Sequence, residues 1–336
     1  MAATSRLTLH TFLLKLFILF IITAAVSILG LLAGSVDVSI SDIFNLFTSK
    51  NFNGTISQII LEIRLPRVLL SIAVGGGLSV AGAVFQAMLM NPLAEPYILG
   101  ISSGGTFGAI LAMLLGIAFI WAQLFAFIGA LCVMALVFVL GKRFGELEPN
   151  VMLLTGIMVG AFFSAAILMM MTMLGDSLRS AIFWLIGNLS LANPETIYYV
   201  LPTTIVISII LSLNGQKYNV LSMGSDNAKH LGVNTVFVKN STYILASIMV
   251  GSIVSVSGIV GFVGLLVPHF CRMIFGVDNR IIVPASFFVG ASYLVLADML
   301  ARSLISPAEL PVGAVTALIG APIFIYLLRK RFNLIK

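Results

Sequence analysis

The sequence predicts an all-α polytopic membrane protein of about ten transmembrane helices built on an inverted internal repeat. Three observations predict it. Apolar residue types make up 60% of the 336 residues and charged types only 9%, against about a quarter in soluble domains, which leaves too little polar surface to coat a water-soluble globule. The apolar residues fall into about ten runs that approach the roughly 20 residues a spanning helix needs. A stretch of the first half of the chain also recurs in the second. In this setting the net charge of +6 reads as basic cytoplasmic loops rather than as a nucleic-acid surface.

The runs lie near residues 12–34, 66–84, 97–116, 119–141, 151–174, 196–213, 240–258, 262–275, 281–300 and 311–329. The first is too long for a signal-peptide core and has no clean cleavage signal after it, so it is expected to be a retained helix. The second opens on Arg64-Leu65-Pro66-Arg67. Pro66 suits a first helical turn, where its missing N–H costs nothing, and two arginines three apart share a helical face. They read either as snorkelling interfacial side chains or as an exposed docking site for an acidic partner. Asn91-Pro92-Leu93-Ala94-Glu95-Pro96 breaks the chain before the third span. The glycine-rich Gly100–Gly105 that follows lacks the lysine of a phosphate loop and is read as capping and close packing.

In the fifth span Gly156 and Gly160 form a small-xxx-small pair that permits close backbone approach. Met169, Met170, Met171 and Met173 read as a flexible lining or lipid-facing stripe. Between the sixth and seventh spans, the loop 214–238 contains Ser225, Asp226, Ala228, Lys229, Leu231 and Gly232. Ser225 or Asp226 is placed to cap a short helix over Asn227 to Leu231, with Gly232 ending it. That element is either a rigid lever touching another protein or an ordinary ordered loop. The eighth run is short and interrupted by Gly261, Gly264 and Pro268, which predicts a broken or half-length segment. His269 within it is read as a structural hydrogen-bonder rather than a metal ligand. In the ninth, Asp298 and Arg302 suit an i,i+4 ion pair. Cys132 and Cys271 lie in apolar runs with neither metal-ligand spacing nor a disulfide framework.

Residues 71–92 and 247–268 agree at ten of twenty-two aligned positions, Ser71/Ser247, Gly75/Gly251, Gly82/Gly258 and Pro92/Pro268 among them. The copies begin in the second and seventh spans, an odd number apart, so they cross the membrane in opposite senses, as inverted transporter repeats do. The expected halves, covering spans 2–5 and 7–10, are about 64–175 and 240–330 of one transmembrane domain spanning 1–336. With the N-terminus cytoplasmic, the inner segments collect Arg6, Lys142, Arg143, Lys217, Lys229, Arg280, Arg329, Lys330, Arg331 and Lys336. The outer segments hold Lys50, Arg64, Arg67, Arg179 and Arg302, mixed with Asp37, Asp42, Glu62, Asp176, Glu195 and Glu309. The basic bias therefore puts both termini inside.

Three function classes can be weighed on these residues. A gradient-driven carrier places ionisable residues at mid-membrane, whereas Asp298 is nearly the only acid within a span and lies toward one end. A membrane enzyme needs a nucleophile–base or metal constellation, and His10, His230 and His269 are scattered. No Walker pattern occurs in the chain. A transporter driven from outside the chain remains, with the loop helix as the natural point where the driving force enters.

Arg-Leu-Pro-Arg, then NPLAEP and LGISSGG, then SGIVGFVGLLVPHFCR, ADMLAR and ELPVGAVTALIGAPIF before a basic C-terminus, resemble the permease family of binding-protein-dependent importers for iron–siderophores, haem and cobalamin. The resemblance runs from the first span to Lys336 in the family's order. It implies a homodimer with a path lined by the fifth and tenth spans, in the cytoplasmic (inner) membrane. Two copies of a separate ATP-binding-cassette ATPase, which carries the ATP and magnesium, would dock on the loop helix at Ser225–Gly232. An extracytoplasmic substrate-binding protein would dock through carboxylates on Arg64, Arg67 and Arg302. Asn91 and Leu93 match a cytoplasmic gate, and no cofactor is expected on this chain. Ferric siderophore is the first expectation for cargo, then haem or cobalamin, with molybdate also open.

Overall fold

The computed structural model describes residues 8–34, 36, 38–42, 54–190, 194–305 and 308–333. In chain order the helices are α1 (Leu9–Leu32), α2 (Leu65–Met88), α3 (Ile101–Leu114), α4 (Phe119–Leu140), α5 (Pro149–Met171), α6 (Leu178–Ile186) and α7 (Pro194–Leu213), then α8 (Gly215–Leu221), α9 (Ser225–His230), α10 (Thr235–Ser257), α11 (Val263–Phe275), α12 (Asn279–Ser303) and α13 (Val312–Asn333). Ten of these coincide with the ten predicted spans; α6, α8 and α9 are short additions. Seven are long and apolar enough to cross a bilayer, while α3, α11 and the apolar part of α13 are shorter. A turn of α-helix at Thr55–Gln58 and a π-helical turn at Ile59–Arg64 lead into α2. Between α4 and α5 a two-residue ladder pairs β1 (Lys142–Arg143) with β2 (Glu146–Leu147), Arg143 facing Glu146. Its tip, Phe144-Gly145, takes positive φ at both residues, 51° and 84°, as a tight hairpin turn requires.

The bundle is arranged around α2, which is buried on every side, whereas α1 lies almost wholly on the surface. The composition of α2 explains its place. Gly75, Gly76, Gly77, Ala81, Gly82 and Ala83 present no bulk, so α7, α10, α11 and α12 all approach its backbone. Without a hydrophobic drive between helices in lipid, such close van der Waals contact is the main source of association. A Cβ added at Gly82 would stand 1.8 Å from the Gly264 carbonyl oxygen, and one at Gly75 2.3 Å from that of Gly290. The exposed large apolar side chains, such as Phe17 and Phe20 of α1 and Leu154, Met158 and Phe162 of α5, are inverted relative to a soluble protein and suit lipid or a partner chain.

The two repeat copies part at their matching glycines. Gly82 continues α2, but Gly258, with φ +67°, ends α10. The chain then runs without helix to Phe262, where α11 begins as the half-length segment the interrupted eighth run predicts. At that break three backbones meet, because added Cβ atoms at Gly187, Gly258 and Gly313 would each fall within 2.2 Å of a neighbouring carbonyl oxygen. Among the charges in the orientation tally, Arg6, Asp37, Lys50 and Lys336 lie outside the described residues, as do the side chains of Lys330 and Arg331.

Candidate functional site

Two polar sites stand at opposite ends of the bundle. At the first, Arg64, Arg67, Asp298, Arg302 and Glu309 converge. α1 ends without side-chain capping of its own, leaving carbonyls in its last turn without helical partners. Arg64 Nη1 donates to the carbonyls of Leu31 and Leu32 at 2.7 and 2.8 Å, and Arg302 Nη2 to that of Gly30 at 3.0 Å. Two arginines thus close the C-terminal end of α1, where the helix dipole favours cations. Arg67 donates from Nε to Asp298 at 2.8 Å and from Nη1 to Glu309 at 2.7 Å. Asp298 also lies 3.1 Å from Arg302, the i,i+4 pair the spacing predicts.

This arrangement corrects the expectation of exposed arginines. Arg64, Arg67 and Arg302 are only 3%, 4% and 6% exposed, because the carbonyls of α1 and the carboxylate of Asp298 draw them inward. Three guanidinium groups nevertheless face two carboxylates here, and the buried Arg67 Nη2 has no acceptor among the described residues. Glu309, in the connection between α12 and α13, covers Arg67 and is itself partly exposed.

At the other end lies α9, over Ser225–His230. The expected side-chain cap at Ser225 or Asp226 is corrected: Gly224 occupies the N-cap with no side-chain hydrogen bond, so the helix starts two residues before Asn227. Ser225 Oγ instead accepts from Lys239 Nζ at 2.8 Å, and the same ammonium donates to the Leu147 carbonyl at 3.3 Å. Gly232, at φ +79°, stops the helix, and the Val233 N–H returns to the Ala228 carbonyl at 3.0 Å, the closing bond of a Schellman-type end. Ala228 is fully buried and anchors one side. Lys229 reaches the hairpin at Glu146, 2.8 Å away, and that bond holds its ammonium pKa above the usual range. Met223, Leu231 and Phe237 project outward, Leu231 with 62% of its surface exposed.

The turn after α2 belongs to this end as well. Met90 adopts φ +50°, and Asn91 Oδ1 accepts from the Leu93 N–H at 2.9 Å, fixing a tight turn with Leu93 exposed at its tip. Beyond it, Glu95 Oε1 accepts from the Phe262 N–H at 2.9 Å and the Tyr97 hydroxyl from the Val260 N–H at 3.1 Å. Burial pushes the Glu95 carboxyl up, and the Phe262 N–H pulls it back. Phe262 has the left-handed φ of 68°, and its ring lies where any side chain on Gly320 of α13 would go. The turn, the break before α11 and the face of α13 are therefore mechanically linked. Glu95→Ala should leave the part-buried Phe262 N–H unpaired and lower stability by about 1 kcal/mol. Glu95→Gln, which keeps the acceptor, should melt near wild type; thermal unfolding of the purified chain compares the two.

The remaining sequence-predicted positions are distributed as follows. Gly156 lies against the Ile98 carbonyl, 2.4 Å from an added Cβ, while Gly160 has room, with Ser103 at 3.8 Å. His269 meets Phe324 edge to face, with centroids 6.0 Å apart. Met169 and Met173 are exposed, and Met170 and Met171 pack on a small cluster around Ile167. Sequence reasoning missed Glu95, Glu146, Lys239 and Phe262. Charged residues in a chain this poor in charge were a usable signal for the first three; nothing marked Phe262.

The chain matches the family described as the FecCD transport family over residues 19–330. It is 38% identical over 317 residues to YvrB of Bacillus subtilis (strain 168), an ABC transporter permease protein, covering 90% of each chain. It is 37% identical over 305 residues to the hemin transport system permease protein HmuU of Yersinia pestis, covering 89% of this chain and 90% of that one. A solved structure described as an inward-facing conformation of a metal-chelate type ABC transporter superposes with TM-score 0.83 at 31% identity, covering 95% of this chain and 99% of that chain.

Proposed function

The chain belongs to the FecCD transport family, and from that footing we propose that it is the permease of an ATP-binding-cassette importer for an iron chelate or cobalamin delivered by a binding protein. It works as a homodimer in the cytoplasmic membrane with both termini inside, and it carries no catalysis of its own. Two separate ATPase subunits, which hold ATP and magnesium, dock at the α9 end. The iron-chelate reading draws on the hemin permease and the metal-chelate transporter that resemble it.

The observation that carries this reading is the construction of α9. It is a short helix fixed at both termini by positive-φ glycines, tied to the hairpin and to α10 through Lys229 and Lys239, and fringed with exposed apolar side chains. Such an element transmits a push without bending. A change in the spacing of two docked ATPases would reach the turn at Asn91 and Leu93, the proposed cytoplasmic gate, and pass through Glu95 to α11 and α13. Leu231→Glu should reduce transport about ten-fold or more by removing an interface anchor, with the permease dimer still folded. Full ATP-driven uptake in this variant, measured in vesicles, would remove α9 from the coupling path.

The binding protein is assigned to the opposite end. There a partner carboxylate would pair with Arg67 by displacing Glu309, and the surplus of cations over carboxylates supports an acidic partner. Arg64 and Arg302 contribute mainly by holding the end of α1 in place beneath that surface. Asp298 is engaged by two arginines, which leaves it ill suited to carry a coupling ion.

A further inference from the structure

A cavity of about 510 Å³ opens at the α9 end, lined by Gln86, Met90, Asn219, Ser222, Arg272 and Asp278 among others. Its polar groups are nearly all spoken for. The Asp278 carboxylate takes Arg280 Nη2 at 2.6 Å and Asn219 Nδ2 at 2.7 Å. Burial would push that carboxyl up, but these bonds outweigh it and hold it at about 2. Asn219 Oδ1 accepts the Asn279 N–H at 2.7 Å, and the Ser222 hydroxyl donates to the Tyr218 backbone carbonyl at 2.8 Å.

Two exceptions remain, the buried Asn279 Oδ1, which has no donor among the described residues, and Arg272. The Arg272 Nη1 donates to Gln86 Oε1, and the guanidinium joins no ion pair among the described residues. Half-buried at the wall of this opening, a cation with five N–H donors and one neutral side-chain partner among the described residues keeps donors free for an anion. A planar guanidinium at the wall of a concavity fits a carboxylate in two-point contact.

The place of the cavity says where that carboxylate comes from. Asn219 and Ser222 belong to the α8 segment that leads directly into α9, and Met90 adjoins Asn91 of the gate turn. The exposed apolar side chains of Met90 and Val277 line this opening, as a water-excluding rim around a charged anchor would. We propose that Arg272 receives an acidic side chain of the docked ATPase subunit, so that the docking contact reaches from α9 to the gate turn. This inference rests on the ATPase-docking reading of α9.

The test measures assembly of the full permease dimer with its ATPase. Arg272→Gln should weaken assembly about ten-fold or more, and Arg272→Glu should be rescued by exchanging one acidic residue on the ATPase docking face for lysine. If Arg272→Gln fails to fold, Arg272→Lys keeps the charge but loses the two-point geometry and should still weaken assembly several-fold. Unchanged assembly in the folded variants, with Leu231→Glu still disruptive, would overturn this inference and leave the α9 reading standing. If Leu231→Glu also assembles normally, both fall. Binding of inorganic phosphate to the isolated permease, lost in Arg272→Gln while assembly is unaffected, would identify a free-anion site and likewise overturn it.

Discussion

Asp298→Ala should cost the protein roughly 3–5 kcal/mol, enough to prevent recovery of a folded chain, because it removes the buried carboxylate that two buried arginines share. Asp298 is 1% exposed and bonded to Arg67 at 2.8 Å with Arg302 at 3.1 Å. Replacing the group together, as Arg67→Met, Asp298→Leu and Arg302→Met, should recover most of that loss, since apolar side chains of similar volume are often tolerated where an ion cluster is removed whole. The triple variant separates two roles that single substitutions confuse. It should fold and assemble with the ATPase yet bind the extracytoplasmic protein more weakly. Normal affinity for the binding protein at low salt would show that this cluster serves the fold alone. Folding and affinity are read by thermal unfolding in detergent and by surface-immobilised binding.

Gly82→Val is the second large effect. The first added carbon would fall 1.8 Å from the Gly264 carbonyl oxygen. Both partners are backbone, so no rotamer change relieves the clash, and α2 and α11 must separate. A loss near the upper end of overpacking costs, about 3 kcal/mol, is expected, seen as a lowered melting temperature and reduced yield. Gly160→Val, where the nearest atom is 3.8 Å away, serves as the tolerant control. Equal melting of the two variants would contradict the packing account.

These contrasts show what the sequence could and could not disclose. Each apolar run became a helix, because length and composition alone decide whether a segment can cross a bilayer. The half-length α11 was legible in Gly261, Gly264 and Pro268, and the Asp298–Arg302 pair in its spacing. The burial of Arg64 and Arg67 was not legible: that of Arg64 depends on the uncapped end of α1, some thirty residues upstream in the sequence, and that of Arg67 on Asp298 and Glu309, more than two hundred residues downstream. Likewise, helix rules favoured a side-chain cap at Ser225 or Asp226, but a distant lysine, Lys239, claimed the Ser225 hydroxyl. The matching Gly82 and Gly258 look alike in the repeat, yet Gly258 ends its helix at φ +67°, against the backbone of Trp184 and Gly187, contacts the sequence does not display.

The central claim is that this bundle moves cargo only when a docked ATPase acts on its inner end. Purified permease reconstituted in vesicles with its binding protein and cargo, and with proton and sodium gradients imposed, measures this directly. No uptake is expected until the ATPase and ATP are added, and Leu231→Glu should then cut that uptake about ten-fold or more. Gradient-driven accumulation by the permease without the ATPase would contradict it.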